Sequence, residues 1–529
     1  MSEALPFPIV EKDGAINPWL IACTVMIATF MEVLDTSVAN VALPHIAGNL
    51  SAGVDESTWV LTSYLVSNAI VLPLSGWFSS LFGRKRFYMF CVGLFTVSSL
   101  LCGFAPSLPL LVTFRVLQGA GGGALQPVSQ AILVESFPKA KQGQAMAVYA
   151  MGVVLAPVIG PTLGGWITDN YSWRWIFFIN IPVGILSLLM TQMLISDPSY
   201  LKRKDLRNLK IDYIGIGLLT LGVGALQIML DKGQRDDWFG SNFIIGCAVV
   251  TALALAGAVY WELHSKDPIV DFHLLGERNF ALSTLTMFTL GVVLYSTTVL
   301  LPEMAQVLLG YDATTSGWML SPGGMALMVI LPFVGWLLGK IEPRWLVTFG
   351  ALVIAASLLY MGHFDLDLDF HTAMMARVYQ SCGMAFLFVP INVMAFYFIS
   401  KEKINNATGI INLARNMGGS VGISAVQTLL ARRQQFHQNY LAADATPFSN
   451  SYRSALSGMT QMFSSHTSST VEASAQARGL MYEIIGRQSM MQAFVDIFRM
   501  LAGISLAIVP MMFLMKKIRP TKSPTPGMH

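Results

Sequence analysis

Two carboxylates and an arginine stand inside long apolar runs of this chain. Glu32 and Asp35 occur in Phe30-Met31-Glu32-Val33-Leu34-Asp35-Thr36-Ser37-Val38-Ala39-Asn40, and Arg115 opens Arg115-Val116-Leu117-Gln118-Gly119. An ionisable side chain in the middle of a membrane-length helix costs about 2.5–3.5 kcal/mol on insertion scales, so its presence there points to chemistry. The i, i+3 spacing puts Glu32 and Asp35 on one helix face, with Ala39 one turn further on. Counted from the ends of their apolar runs at 1.5 Å per residue, Asp35 and Arg115 both lie roughly 10–12 Å below the same surface. They are therefore expected to face one another. A carboxyl group so placed gains or loses a proton under two opposing influences, desolvation and a neighbouring cation. A helix motion that parts Asp35 from Arg115, or wets it, changes its hold on a proton, which makes a coupling device with Glu32 as a further candidate. The alternative is a permanent ion pair that only fixes packing.

The run that begins at Arg115 continues Gln118-Gly119-Ala120-Gly121-Gly122-Gly123-Ala124-Leu125-Gln126-Pro127, with Gln130 beyond. Gln118, Gly122, Gln126 and Gln130 are spaced by four and share a face. Amides facing lipid are costly, so this face is expected to line a watery cavity with Asn40, or else to hydrogen-bond a neighbouring helix. A later run reads Gly152-Val153-Val154-Leu155-Ala156-Pro157-Val158-Ile159-Gly160-Pro161-Thr162-Leu163-Gly164-Gly165-Trp166. Gly152, Ala156, Gly160 and Gly164 make a smooth strip for close helix approach, and Pro157 and Pro161 each remove an amide donor and bend the helix. A bent, smooth helix suits a gate between two halves, and it suits static packing equally.

These groups need a membrane scaffold, and the composition supplies one. Of 529 residues 54% are hydrophobic and 12% charged, about half the charge of a soluble protein, and the mean hydropathy is +0.58. Apolar runs of about 20 residues recur throughout, each long enough to cross ~30 Å of hydrocarbon. The spans are expected near 17–43, 57–80, 86–105, 109–135, 143–168, 175–196, 212–230, 243–264, 280–301, 314–339, 345–361, 372–398, 406–429 and 492–515. Basic clusters at Arg84-Lys85-Arg86, Lys139 with Lys141, Lys202-Arg203-Lys204 with Arg207 and Lys210, Lys401 with Lys403, and Lys516-Lys517 with Arg519 then fall on one side. The positive-inside rule places that side, and both termini, in the cytoplasm. Met1 to Asn17 carries no basic n-region or cleavage site, so the first span is expected to do its own targeting.

The chain also repeats itself. Leu72-Pro73-Leu74-Ser75-Gly76-Trp77 returns as Leu331-Pro332-Phe333-Val334-Gly335-Trp336, 259 residues on (336 − 77). Arg115-Val116-Leu117-Gln118 returns as Arg377-Val378-Tyr379-Gln380, 262 on (377 − 115). Leu43-Pro44 and Trp59 recur as Leu301-Pro302 and Trp318. Duplication of this kind builds secondary transporters around a central site. The expected fold is all-α and polytopic: two six-helix repeats with two extra helices between them. The parts are a cytoplasmic N-terminus (1–16), a first bundle (17–196), a cytoplasmic linker (197–211), an inserted helix pair (212–264), a second bundle (280–515) and a cytoplasmic tail (516–529). The second bundle holds a polar outer segment at 431–491, expected as a solvated loop or a docking surface, with an amphipathic helix possible over 473–491. Cys23, Cys91, Cys102, Cys247 and Cys382 all sit in apolar runs and give neither a disulfide framework nor metal spacing. No metal and no cofactor are expected, and the net charge of +3 belongs to loops, not to nucleic-acid binding.

The motifs resemble the major facilitator superfamily and, within it, the fourteen-span drug:proton antiporters. Gly160-Pro161-Thr162-Leu163-Gly164-Gly165 is similar to the antiporter motif of the fifth helix, Leu34 to Pro44 to the first-helix motif, and Arg115 to Gly119 to the fourth-helix motif, whose arginine the family associates with proton transfer. Gly76 through Gly83-Arg84-Lys85-Arg86 resembles the loop motif after helix two, with Ser80 where the family often has an acid. The outer segment and Trp173-Arg174-Trp175-Ile176-Phe177-Phe178-Ile179-Asn180 resemble EmrB-type pumps of Gram-negative inner membranes. That likeness implies a periplasmic membrane-fusion adaptor of the EmrA type and an outer-membrane channel as partners. It implies proton-coupled export of hydrophobic or amphipathic drugs across the inner membrane, and no enzyme activity. The alternatives are uptake by symport on the same fold, and an ATP-driven pump or membrane enzyme. The last lacks a phosphate loop, since Gly335-Trp336-Leu337-Leu338-Gly339-Lys340-Ile341 is one spacer short.

Overall fold

The computed structural model describes residues 17–139, 141–197, 212–265, 268–443, 445–465 and 469–518. The expected N-terminal segment 1–16, nearly all of the basic linker (198–211) and the tail beyond 518 lie outside the described residues. The first six spans are α1 (Pro18–Asn49), α3 (Trp59–Phe82) after the short α2 (Val54–Ser57), α4 (Arg84–Phe104), the pair α5 (Leu108–Gly122) and α6 (Leu125–Ser136), α7 (Gln142–Asn170), and the pair α8 (Trp175–Phe178) and α9 (Asn180–Leu194). Two further spans follow, α10 (Tyr213–Lys232) and α11 (Asn242–His264). The last six are α12 (Arg278–Val307), α13 (Ala313–Leu337), α14 (Pro343–Met361), α15 (Phe370–Phe396), α16 (Ile404–Ala443) and, after α17 (Asn450–Ser464), α18 (Thr470–Leu506) with α19 (Ile508–Leu514).

Local chemistry sets the ends of these helices. The Asn17 side chain caps α1 by accepting from the Trp19 amide at 3.0 Å, and Asp312 caps α13 through the Thr315 amide at 3.0 Å. Gly83 turns the chain between α3 and α4 at φ +85°, a conformation that favours glycine. The fourth span is broken between Gly122 and Leu125. Its glycines admit neighbouring backbones: a Cβ on Gly119 would lie 2.4 Å from the Tyr64 carbonyl, and one on Gly123 2.5 Å from the Asn68 carbonyl.

Thirteen spans among the described residues are long and apolar enough to cross a membrane. The expected span 406–429 is not one of them. It lies within α16, where Asn405, Asn406, Asn412, Arg415 and Asn416 lower the hydropathy, yet α16 runs through the interior against α12, α18 and α3. Large apolar side chains such as Phe90, Met193, Leu253 and Val329 stay exposed on the bundle's flank, as lipid contact requires.

The first and last sets of six meet at the end that carries Arg84 and Lys403, here called the basic end. A Cβ on Gly76 would lie 2.3 Å from Asn406 Oδ1, and one on Gly335 3.0 Å from the Gly143 carbonyl, so both seams are tight. Asn405 Nδ2 donates to Ser79 Oγ at 3.2 Å across the first seam. The inserted pair is wedged against both sets. Asp231 accepts from Thr62 on α3 (2.5 Å) and Lys232 donates to Thr58 just before it (2.7 Å), while Gln227 accepts from Ser420 (2.9 Å) on α16.

The segment 431–491 corrects the expectation of a solvated loop. It is helical over most of its described length: α16 continues to Ala443, α17 follows, and α18 begins at Thr470, taking in the helix expected over 473–491. His437 Nε2 lies 2.8 Å from Asp496 Oδ2, Arg433 lies 3.6 Å from the same oxygen, and Arg487 donates to the Leu308 carbonyl at 2.8 Å. These contacts hold the helical projection to the bundle.

Candidate functional site

Asp35 sits on α1 with 1% of its surface exposed, and its carboxylate accepts from donors on two other helices. Arg115 Nη1 on α5 donates to Oδ2 at 2.5 Å, while Gln118 Nε2 (2.8 Å) and Asn180 Nδ2 (2.7 Å) donate to Oδ1. Arg115 has no exposed surface. It also donates to the Val60 carbonyl at 3.0 Å and to Gln118 Oε1 at 2.8 Å, and its guanidinium lies 4.2 Å from the centre of the Tyr64 ring. Asn180 starts α9 and is held by Ser99 Oγ at 3.0 Å. Three acceptor-facing donors match an ionised carboxylate, which only accepts. Protonation would add a donor among donors, so the cluster must then rearrange.

One turn along the same face, Glu32 joins a different network. Its Oε1 accepts from Tyr64 Oη (3.3 Å) and Asn68 Nδ2 (3.2 Å), and its Oε2 accepts from Gln126 Nε2 at 2.7 Å. Gln126 Oε1 in turn accepts from Arg415 Nη2 on α16. Glu32 is thereby bridged by one amide to a cation of the last six spans. Four residues on, Gln130 and Asn412 exchange hydrogen bonds at 2.8 and 3.4 Å, a second bridge between the sets.

The structure thus brings Asp35, Arg115 and Gln118 together, and it places Glu32, Gln126 and Gln130 at the junction between the two sets. It does not show the amide face open to water: Gln118 and Gln130 are fully buried and bonded to other helices, the hydrogen-bonding alternative. Asn40 is exposed and stands apart from these clusters.

The small-residue strip of α7 faces α1 and not the seam between the sets. A Cβ on Gly152 would lie 2.4 Å from Met26 Cγ, one on Gly160 2.3 Å from Ser37 Oγ, and one on Gly164 3.0 Å from Val38 Cγ1, with Ala156 buried between them. That is the static-packing alternative for the strip, and α7 meets α13 through other residues, Gly143, Ala147 and Val158. Pro157 is exposed, Pro161 and Gly165 are half-buried, and α7 runs on through both prolines.

In the loop motif, Gly76 forms the basic-end seam. Arg84 is buried in an ion pair with Glu135, and Lys85 reaches Asp197 through its amide (2.9 Å) and the Gln192 carbonyl through Nζ (2.6 Å). Ser80, where the family often has an acid, turns back on its own helix and donates to the Trp77 carbonyl. Among the described residues no group of His, Cys, Asp and Glu is placed to hold a metal.

The model of the family described as Major Facilitator Superfamily matches residues 25–423. The chain belongs to the major facilitator superfamily. It is 36% identical to the multidrug export protein EmrB of Escherichia coli (strain K12) over 93% of this chain and 94% of that one. It is 36% identical to the fatty acid resistance protein FarB of Neisseria gonorrhoeae over 95% and 97%. Among solved structures, the proton:xylose symporter XylE has a TM-score of 0.58 at 13% identity, covering 93% of this chain and 96% of that one. The fold is the facilitator fold of about fourteen helices, and the chain is a multi-pass membrane transporter of the EmrB type, not an enzyme.

Within this facilitator, two partners went unassigned in the sequence. Arg415 carried the same signal as Arg115, a cation inside an expected span. Asn180 stood only as part of a family likeness. Its role as a donor to Asp35 depends on the chain turning at α8 to bring residue 180 against residue 35, which no local pattern reveals.

Proposed function

We propose that this chain exports hydrophobic or amphipathic small molecules across the bacterial inner membrane in exchange for protons. Its similarity to the multidrug export protein EmrB across nearly its whole length supports drug efflux. The observation that carries the exchange mechanism is Asp35, a desolvated carboxylate ringed by donors from α5 and α9.

In the ionised state the carboxylate holds α1, α5 and α9 together. A proton arriving at Asp35 removes its charge and turns one of its oxygens into a donor, which loosens Arg115, Gln118 and Asn180. Because Glu32 lies one turn away on α1 and is bridged to Arg415, movement of α1 strains the link to α16. Proton binding thus favours parting the two sets at the basic end, and cargo binding in the opened space favours releasing the proton. A ligand shifts such an equilibrium only by its difference in affinity between the two states.

With the basic end in the cytoplasm, this structure is closed to the cytoplasm. The helical projection made by α17 and the outer parts of α16 and α18 then lies in the periplasm. We assign it as the seat of a membrane-fusion adaptor of the EmrA type, leading to an outer-membrane channel. Phe436, Tyr440, Phe448 and Tyr482 are exposed there, and such aromatic exposure marks a docking face.

Inverted vesicles test the function. After ATP depletion, an imposed gradient that is acid inside should drive a labelled amphiphile into the lumen. Movement in the opposite direction would establish symport, and a requirement for ATP would overturn the mechanism outright.

A further inference from the structure

The duplication carries Arg115 onto Arg377 with an offset of 262 residues, while the offset of 258 in the helix that holds Asp35 (301 − 43) sets Val293 in its place, one turn before Thr297. The structure repeats the geometry as well as the sequence. Arg115 lies seven residues into α5 (115 − 108) and Arg377 seven into α15 (377 − 370). Arg115 Nη1 donates to Gln118 Oε1 at 2.8 Å, and Arg377 Nη1 donates to Gln380 Oε1 at 2.7 Å.

The two sites differ in what the arginine and the glutamine meet. Where Arg115 meets a carboxylate, Arg377 meets hydroxyls: Nη1 donates to Thr297 Oγ1 and Nη2 to Thr298 Oγ1, each at 3.0 Å. Both hydroxyls spend their own protons on α12, at the Val293 and Leu294 carbonyls, so they offer Arg377 lone pairs but no charge. Among the described residues no carboxylate lies within ion-pair distance of Arg377. The arginine is only 8% exposed, and its Nε and the Nε2 of Gln380 have no hydrogen-bond partner among those residues. A buried guanidinium without a counter-charge is costly unless something else supplies one.

We propose that Arg377, with Gln380, Thr297 and Thr298, is an anion subsite that takes the carboxylate of an amphipathic cargo. One repeat holds its own acid and handles protons; the other has lost the acid and leaves its cation for the cargo. The unpaired Nε of Arg377 and amide of Gln380 are two donors within one turn of α15, and a guanidinium meets a carboxylate through two parallel hydrogen bonds. The inference rests on the export reading for the identity of its ligand as cargo, and its binding test does not require transport.

The test uses the purified full chain and two fluorescent amphiphiles with the same body, one a carboxylate and the other its primary amide. Equilibrium binding is measured for wild type, R377Q, R377K and T297D, then ΔpH-driven transport for the same set in proteoliposomes. R377Q should weaken carboxylate binding about tenfold or more, about 1.4 kcal/mol, with the amide changed less than about twofold. R377K should recover part of the loss. T297D sets a carboxylate beside Arg377, so it should lose carboxylate binding by a larger factor than amide binding. Equal losses for both probes in R377Q, or carboxylate binding by T297D at wild-type strength, would overturn the subsite. Selective binding without export of either probe would keep the subsite and refute the export function.

Discussion

Replacing Arg415 with Gln perturbs a charged link between the first and last six spans. Arg415 is 5% exposed and reaches Glu32 through Gln126, whose other bond, to Glu32 Oε2, is 2.7 Å long. A hydrogen bond to a charged group contributes about 1.5–3 kcal/mol net. At 1.36 kcal/mol per factor of ten, losing one shifts the balance between the state closed at the basic end and the opened state by roughly 10- to 150-fold. The reporter is the substitution Leu338→Cys, at a side chain 8% exposed and set against Gly143 in the α7–α13 seam, in a background lacking the five native cysteines. Its alkylation rate by a membrane-permeant maleimide should rise by that factor in R415Q. E32Q should raise it too, and the double variant should fall short of the summed effects by about 1.5–3 kcal/mol, because both changes break one bridge. Additivity within ~0.5 kcal/mol would show that Glu32 and Arg415 act independently, and the proposed transmission from α1 to the seam would be wrong.

Three further outcomes follow from the packing. Gly76→Ala puts a Cβ 2.3 Å from Asn406 Oδ1 and 2.9 Å from its Cα, so it should prevent closure, abolish transport and leave the reporter thiol in the α7–α13 seam labelled at its opened-state rate; near-wild-type efflux would contradict this. Gly160→Ala meets Ser37 Oγ at 2.3 Å and should cost about 1–3 kcal/mol by overpacking, lowering the unfolding temperature in detergent, and Ser37→Gly should restore most of it. Removing 445–468, which takes out α17, should leave ΔpH-driven transport in proteoliposomes near wild type while abolishing co-purification with a periplasmic adaptor; undiminished capture would move the docking face elsewhere.

Much of the Asp35 cluster was legible because its signals are local. A carboxylate and an arginine inside apolar runs announce themselves, and counting residues from the span ends brought Asp35 opposite Arg115 before any coordinates. The repeat of Arg115-Val116-Leu117-Gln118 at residue 377 is the sequence trace of the matching Arg–Gln pairs, whose contacts only the structure gives. The bridges between the sets were hidden for the opposite reason. Gln126 and Arg415 are 289 residues apart, and periodicity along one helix cannot say which partner lies across a seam. The glycine strip of α7 shows the same limit: its spacing foretold close approach, but only the fold shows that the approaching helix is α1. The outer segment misled by composition. Its Ser- and Gln-rich helices leave only a short, half-buried stripe such as Tyr452, Leu456, Met459 and Phe463 of α17, with side-chain anchors such as His437–Asp496, so no membrane-length apolar run marks them.

Coupling through Asp35 is tested most directly by proteoliposomes carrying Asp35→Asn, assayed in two ways on one preparation. Asparagine supplies an amide where Arg115, Gln118 and Asn180 all donate, and it cannot carry a proton in exchange. The variant should therefore lose accumulation of cargo driven by a pH gradient while still trading labelled for unlabelled cargo at equal pH. Accumulation at the wild-type rate, with the wild-type dependence on the gradient, would contradict the account.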